Sequence, residues 1–180
     1  WSAPNGVMIN CMDRELIFAM KESGAEIIYL PLESGDEKIL KLMNKPHPET
    51  HLSKTIEIVK DCVDIGIQAS VFVIVGYPGE DRKSFEKTLD FCRQLTHIGI
   101  SAITPLVATP YPNTGLYRLC QKNNWLVHPD MENMLIYQRY SNFLPEFVHI
   151  ETEWCSRQEA FDRHQEMMKM FPTKHNIRKS

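Results

Sequence analysis

Polar and turn-forming residues follow four apolar stretches, at the point where each stretch ends. These residues are Asn10, then Glu33, Ser34 and Gly35, then 76–80, and finally 109–115. In parallel α/β proteins the carboxyl ends of the strands form the face that binds ligands. Glu33 is the clearest candidate, because a carboxylate directly after a buried strand can accept hydrogen bonds from vicinal ribose hydroxyls or act as a base.

Each of these candidates also has a structural interpretation. Glu33 would screen the N-terminus of the next helix equally well, and Glu80 fits a charge in the first turn of a helix. Gly76 and Gly79 would let the backbone approach a flat ligand such as an adenine ring, or would only supply turn geometry. The loop 109–115 is either a ligand-binding loop or a proline-rich connector. The pattern alone leaves these alternatives open.

The sequence contains no convincing metal-binding pattern. His47 and His51 have the spacing of two imidazoles on one helical face, but prolines flank His47 and predict that it precedes the helix. The five cysteines are odd in number and lie far apart, without a Cys-x-x-Cys pair. We expect reduced thiols and a cytoplasmic protein, with Cys62 and Cys92 acting as small apolar residues within helices.

Strands and helices alternate through the first two thirds of the chain. The stretch Val71-Phe-Val-Ile-Val75 is typical of a parallel strand buried on both faces. The full set of predicted elements is strands at 6–10, 26–32, 67–75 and 100–108, and helices at 13–23, 36–43, 48–65, 81–99 and 116–123. Pro105 predicts that the last strand is an edge strand or carries a bulge. The alternation predicts a parallel α/β fold.

The chain changes character after residue 126. Its apolar residues have no steady period up to residue 150, and then Ser156 and Glu159 form a capping box that predicts a helix over 156–171. We therefore expect two parts, 1–126 and 127–180, and we expect the second to cover the open side of a barrel or the substrate.

Composition excludes some partners. The 180 residues carry a net charge of −3, which gives no general argument for binding nucleic acid or an anionic membrane. No apolar run approaches the roughly 20 residues that a membrane-spanning helix needs. We expect a small-molecule substrate. The first residue is Trp1, which predicts that the chain is a piece of a longer protein.

Several motifs together resemble the radical S-adenosylmethionine (SAM) superfamily. The stretches that carry the resemblance are 1–6, 33–35, 41–45, 74–80 and 109–117. Within the superfamily they are most similar to the cobalamin-binding subgroup, which includes the anaerobic magnesium-protoporphyrin cyclase. The resemblance covers about residues 1–126, and its specificity comes from the order and spacing of the motifs.

The resemblance implies the C-terminal half of a partial (β/α)6 TIM-like barrel, followed by a mostly helical appendage. In this family a [4Fe–4S] cluster binds SAM and cleaves it reductively to a 5′-deoxyadenosyl radical. By position, the expected cofactor-binding residues are Glu33, Ser34 and Gly35 at the ribose or substrate, and Ile74, Val75, Gly76, Glu80, Ala108 and Thr109 around the adenine. Asn10, at the mouth of an earlier strand, and Tyr111 are the expected substrate neighbours.

The sequence departs from the family pattern in two places. The family motif is often Gly-x-Ile-x-Gly-x-x-Glu, whereas here Phe72 replaces the first glycine and Glu80 comes one residue later. The cluster motif Cys-x3-Cys-x2-Cys is absent. The resemblance therefore implies a C-terminal fragment, inactive by itself, whose cluster ligands lie upstream of Trp1. Such a fragment would expose strand edges that favour self-association. Cobalamin, if the full-length protein binds it, would also bind outside this chain.

Two other functions are compatible with the absence of the cluster-binding cysteines. The chain could be a non-catalytic module that binds a nucleotide or a protein through a half barrel. It could also belong to a barrel lyase that uses Glu33 as its base. Turnover that needs no iron and is lost in Glu33→Gln would identify the lyase.

Overall fold

The computed structural model describes residues 1–127 and 141–172. Four parallel strands form one sheet in chain order, β1-β2-β3-β4. They are β1 Ser2–Ala3, β2 Ile27–Glu33, β3 Gln68–Val75 and β4 Ala102–Val107. A sheet that grows strand by strand in chain order has the topology of a barrel wall, whereas a doubly wound sheet reverses its order. The predicted α/β half barrel is confirmed.

Helices connect the strands, and most of them pack on one face of the sheet. They are α1 Arg14–Glu22, α2 Glu37–Leu42, α3 Pro48–Ile65, α4 Arg82–Ile98, α5 Gly115–Lys122 and, after the sheet, α6 Arg157–Met170. Short 3₁₀ turns lie at Ile9–Cys11 and Pro145–Phe147. The side chains of Asp13 and Asp81 cap α1 and α4, and Ser156 with Glu159 closes the predicted capping box of α6.

The two faces of the sheet differ in burial. Ile28, Leu30 and Leu32 of β2 are completely buried against the helices. Tyr29 and Phe72, on the opposite face, are half-buried and stack with 5.5 Å between ring centroids. The prediction that the strand 67–75 is buried on both faces is therefore wrong for the part of the chain that the structure describes. This second face corresponds to the inner wall of a barrel.

The first strand lies earlier in the chain than predicted. Strand pairing ends at Ala3, because Gly6 has a φ of +86° and its N–H donates to the Ala3 carbonyl in a turn. Asn10 consequently lies in the 3₁₀ turn Ile9–Cys11, where it is exposed. The predicted strand at 6–10 is wrong, and so is the expected position of Asn10 at a strand mouth. A role for Asn10 in substrate binding stays a prediction.

β4 is an edge strand among the described residues, which confirms the interpretation of Pro105. Side chains from the C-terminal part cover this edge. Asn142 Oδ1 accepts a hydrogen bond from the Val107 N–H at 3.0 Å, and His164 hydrogen-bonds the Pro105 backbone. Burial lowers the pKa of His164, against the effect of that bond.

Helix α6 packs against β4 and β3. Ala160, Met167 and Phe171 join the main core that the helices and the sheet form between them. The described C-terminal residues therefore contribute to the helix-covered face of the sheet. Parts of the expected segment 127–180, namely 128–140 and 173–180, lie outside the described residues, and the expected boundary at 126 stays a prediction.

All five cysteines are free thiols, and Cys62 and Cys92 are completely buried in the core as predicted. Burial raises the pKa of each of these two thiols to about 12, so they pack as neutral groups. Among the helices of the described residues, none combines the length and the apolar character that crossing a membrane requires.

Candidate ligand-binding site

Glu33 is presented by an irregular end of β2. The register between β2 and β3 shifts between Pro31 and Glu33, and Glu33 has a left-handed φ of +69°. Its carboxylate forms an ion pair with Lys45, with Oε1 3.0 Å from Nζ. Within residues 1–127 and 141–172, no hydrogen bond occupies the other carboxylate oxygen, Oε2. A left-handed, non-glycine residue at a strand end costs about 1 kcal/mol or more, and such strain is concentrated at functional sites.

Glu33 and Lys45 line a cleft of about 500 Å³. Part of its apolar lining comes from Ile74 at the end of β3 and from Leu116 and Leu119 of α5. Tyr77 also lines the cleft, and its hydroxyl donates to the Leu42 carbonyl at 3.2 Å. One carboxylate beside an apolar wall is a suitable lining for a nucleoside, whose base is flat and whose sugar carries hydroxyl groups.

Ser34 and Gly35 are used in packing against α4. Ser34 is completely buried, and its hydroxyl lies 3.1 Å from the Thr88 hydroxyl. The Gly35 N–H donates to the same Thr88 oxygen at 3.0 Å. These contacts hold the β2–α2 connection, and with it Glu33, against the helix layer. Direct contact of either residue with a ligand stays a prediction.

The turn after β3 is closed by Glu80. The Gly76 N–H donates to Glu80 Oε1 at 3.1 Å, and Gly76 has a φ of +73°, which favours glycine. Glu80 is 1% exposed and forms an ion pair with Arg163 of α6 at 2.9 Å. Burial raises the pKa of the Glu80 carboxyl to about 6, although the Gly76 N–H and Arg163 favour the ionised form.

Glu80 is therefore not the first-turn helix charge that one of the sequence interpretations predicted. It precedes α4, whose N-cap is Asp81. Its carboxylate is enclosed by protein, so it can act on a ligand only through the turn that it closes. We call residues 76–80 the β3 turn.

A second, smaller cavity of about 140 Å³ lies at the carboxyl ends of β3 and β4. Ile74, Thr109 and Tyr111 line it together with Asn142. The Thr109 hydroxyl donates to the Val107 carbonyl at 3.2 Å, which fixes the start of the loop. Burial raises the pKa of Tyr111, so its hydroxyl is a neutral hydrogen-bonding group at neutral pH.

The structure thus brings together part of the predicted set. Glu33 and Ile74 line the larger cleft, and Ile74 also lines the smaller cavity together with Thr109 and Tyr111. Val75 and Ala108 are buried, and the Ala108 N–H donates to the Val75 carbonyl at 2.9 Å. Their predicted roles around an adenine would therefore be backbone roles.

Sequence reasoning missed three residues, Lys45, Asn142 and Arg163. Lys45 lies in a motif that carried the resemblance, and a lysine shortly after a candidate carboxylate was a usable signal. Asn142 and Arg163 approach the sheet from the C-terminal part, and no local pattern marks them.

The lining of the cleft fits the adenosyl part of SAM. Glu33 offers a free acceptor oxygen, and Ile74 and Leu116 offer apolar surface. The described residues do not fit the iron–sulfur cluster in the same way, because they contain no group of three His, Cys, Asp or Glu side chains that could hold a metal. His51, one of the two histidines with helical-face spacing, is buried with Nε2 3.1 Å from the Leu32 carbonyl oxygen.

Fold and site together define one wall of a parallel barrel, with a nucleoside-sized cleft at the carboxyl ends of its strands. The family model of the radical SAM superfamily matches residues 3–92, which include β2, β3 and the β3 turn. The chain belongs to the radical SAM superfamily.

Similar proteins agree with this assignment. An uncharacterised methyltransferase of Pyrococcus horikoshii is 32% identical over 127 residues, which are 71% of this chain and 26% of the relative. Cytidylyl-2-hydroxyethylphosphonate methyltransferase of Streptomyces wedmorensis is 29% identical over 133 residues, 70% of this chain and 24% of the relative. The chain therefore spans about a quarter of each of these curated relatives.

A solved structure shows the same fold. Coproporphyrinogen III oxidase of Escherichia coli, described as a radical SAM enzyme, superposes with a TM-score of 0.59. The match covers 92% of this chain and 30% of the oxidase, at 13% sequence identity. At this identity the match is evidence for the fold alone.

Proposed function

We propose that this chain binds the adenosyl group of SAM and part of the substrate in a radical SAM enzyme. The observation that carries the proposal is the position of Glu33, whose free carboxylate oxygen lies at the apolar cleft next to the end of β3. A carboxylate there can accept hydrogen bonds from both hydroxyls of a ribose. Family membership supports SAM as the source of that ribose.

In this proposal the protein residues bind and orient the cofactor. Lys45 holds one oxygen of Glu33 and leaves the other for the ribose. Ile74, Tyr77 and Leu116 exclude water from the base. Orientation of this kind contributes to catalysis because it places a reacting bond in a fixed direction before the reaction begins.

We propose that the cysteines that hold the [4Fe–4S] cluster lie in a part of the polypeptide outside these 180 residues. When bound, the cluster supplies the electron that cleaves SAM. The sequence of the reading frame around this chain tests the proposal, because it requires a Cys-x3-Cys-x2-Cys segment after a short apolar strand. A frame without that segment would contradict it and would favour a binding module.

We extend the proposal to methyl transfer, because the two relatives described above are methyltransferases by name. Their similarity also supports the cobalamin-binding subgroup. Incubation of the full-length protein with hydroxocobalamin, followed by gel filtration and an absorbance spectrum, tests the subgroup. A protein that elutes without cobalamin would contradict that part of the proposal.

The same proposal makes the missing part of the barrel the partner of this chain. β1 is an edge strand among the described residues, so it would pair with the preceding strand of the full-length protein. A polypeptide of these 180 residues would then associate through that edge. A monomer with a sharp thermal transition that is independent of concentration would contradict this expectation.

Glu33→Gln in the full-length protein tests the central proposal. The substitution keeps the size of the side chain but removes the charge, and charged hydrogen bonds are worth about 1.5–3 kcal/mol against about 0.5–1.5 for neutral ones. We therefore expect the dissociation constant of SAM to rise about tenfold. Glu37→Gln is the matched control, because Glu37 is exposed on α2 and lies outside this cleft. Unchanged binding in Glu33→Gln would refute the proposal.

A further inference from the structure

Helix α6 touches the β3 turn at two points. A Cβ atom on Gly76 would lie 2.8 Å from the Cβ of Ala160, so this part of the turn packs directly on α6. One helical turn later, Arg163 Nη1 donates to the Glu80 carbonyl at 3.0 Å and to Glu80 Oε1 at 2.9 Å. The helix therefore contacts both ends of the turn.

A single carboxylate oxygen connects these groups. Glu80 Oε1 accepts from the Gly76 N–H as well as from Arg163. The side chains of Arg163 and Glu80 are only 5% and 1% exposed. Hydrogen bonds in such a water-poor region are stronger than at the surface, and removing one partner leaves the other charge unpaired.

Arg163 is itself held in place. Its guanidinium lies 5.7 Å from the ring centroid of Phe85, a completely buried residue of α4. The other carboxylate oxygen of Glu80, Oε2, has no hydrogen-bond partner among the described residues. Without Arg163 the carboxylate would retain only the Gly76 N–H, and the turn would lose its hydrogen bonds to α6.

We infer that Arg163 is a positioning residue for the cofactor: it fixes Glu80, and Glu80 holds the β3 turn in the shape that the adenosyl group meets. The inference rests on the proposed function. It assigns a task in cofactor binding to the C-terminal part of the chain, which lies beyond the residues that the family model matches.

A general role of Arg163 in docking α6 can be separated from this positioning role. Arg82 of α4 and Glu166 of α6 form a second link between the same two helices, with two hydrogen bonds of 2.7 and 3.0 Å. This link is partly exposed and does not touch the β3 turn. Glu166→Gln is therefore the matched control, because it weakens docking and leaves the turn intact.

The experiment compares four variants of the full-length protein: Arg163→Gln, Arg163→Lys, Glu80→Gln/Arg163→Gln and Glu166→Gln. The double variant removes both buried charges together, so it keeps the protein folded if Arg163→Gln alone fails to fold. The probes are the dissociation constant of SAM, by equilibrium dialysis, and the rate of amide hydrogen exchange in peptides that contain residues 76–80.

We expect Arg163→Gln and the double variant to bind SAM about tenfold more weakly, since each loses about one net hydrogen bond in the turn. Exchange at 76–80 should become faster in both, and Arg163→Lys should restore part of each effect. Glu166→Gln should bind SAM like the wild type. Equal SAM binding in Arg163→Gln, the double variant and wild type would overturn the inference alone. A wild type that binds no SAM would refute the proposed function, and the inference with it.

Discussion

Gly35→Ala should be one of the most damaging small substitutions in this chain. A Cβ atom at Gly35 would lie 2.7 Å from the Cα of Thr88, 2.7 Å from the Cβ of Phe91 and 3.0 Å from the carbonyl oxygen of Lys87. Carbon atoms in good contact are about 3.5–4.0 Å apart, so the overlap is about 1 Å. Two of the three atoms belong to the backbone of α4, and a side-chain rotation cannot relieve the overlap with them.

The cost in unfolding free energy can arise in two ways. Overpacking of this kind costs about 1–3 kcal/mol. If the loop moves away from α4 instead, it loses the Thr88 hydrogen bonds to Gly35 N–H and to Ser34, each worth about 1 kcal/mol. We expect the free energy of unfolding to fall by roughly 2–3 kcal/mol, which lowers Tm by roughly 4–12 °C at this size.

The assay is urea-induced unfolding followed by circular dichroism, with Gly115→Ala as the control. A Cβ at Gly115 would meet nothing within 4 Å, and Gly115 is the first residue of α5. Alanine should therefore leave stability unchanged or raise it by up to about 1 kcal/mol. Unfolding of Gly35→Ala at the same urea concentration as Gly115→Ala would refute this expectation, because only the Gly35 substitution crowds α4.

Two further substitutions test other contacts. The pKa of Glu80 is about 6 in the folded protein against an ordinary 4.5, so its contribution to stability is fully present below about pH 4.5 and is lost as the pH rises through 6. The difference in unfolding free energy between wild type and Glu80→Gln should therefore shift in favour of the wild type by about 1 kcal/mol when the pH falls from about 7.5 to about 5. Asn142→Ala should cost about 1 kcal/mol, because the edge N–H of Val107 loses its acceptor.

Two results would contradict these expectations. A difference between wild type and Glu80→Gln that does not change with pH would show that the carboxyl is not perturbed in the folded state. Asn142→Asp keeps an oxygen acceptor and should stay close to the wild type. Equal stability of Asn142→Ala and Asn142→Asp would show that water or backbone movement replaces the bond.

Local sequence patterns predicted most of the fold. Helices α1, α3 and α4 were recognisable because their signals are local. Apolar periodicity and capping residues such as Asp13 and Asp81 involve residues that are only a few positions apart in the sequence. β1 was missed because its pairing depends on Ile27 and Ile28, distant in sequence, and because Gly6 ends it before the apolar run begins.

The candidate site was less predictable, for a related reason. Glu33 and Ile74 could be found because they lie at strand ends. The partners that decide the tasks of other residues are distant: Ser34 meets Thr88 across 54 positions, and Glu80 meets Arg163 across 83. A motif shows that such a residue matters, but the partner that explains it is absent from the motif.

The distance between Glu80 and Arg163 also has a consequence for synthesis of the protein. Ribosomes add about 5–20 residues per second, so the 83 positions that separate the two residues correspond to about 4–17 s. During that interval the nascent chain already contains β3 and its turn, but the cation that allows the Glu80 carboxylate to be buried has not been made. The turn therefore cannot reach its final state until α6 has been translated, and a chaperone that holds the nascent chain would have to act within those seconds.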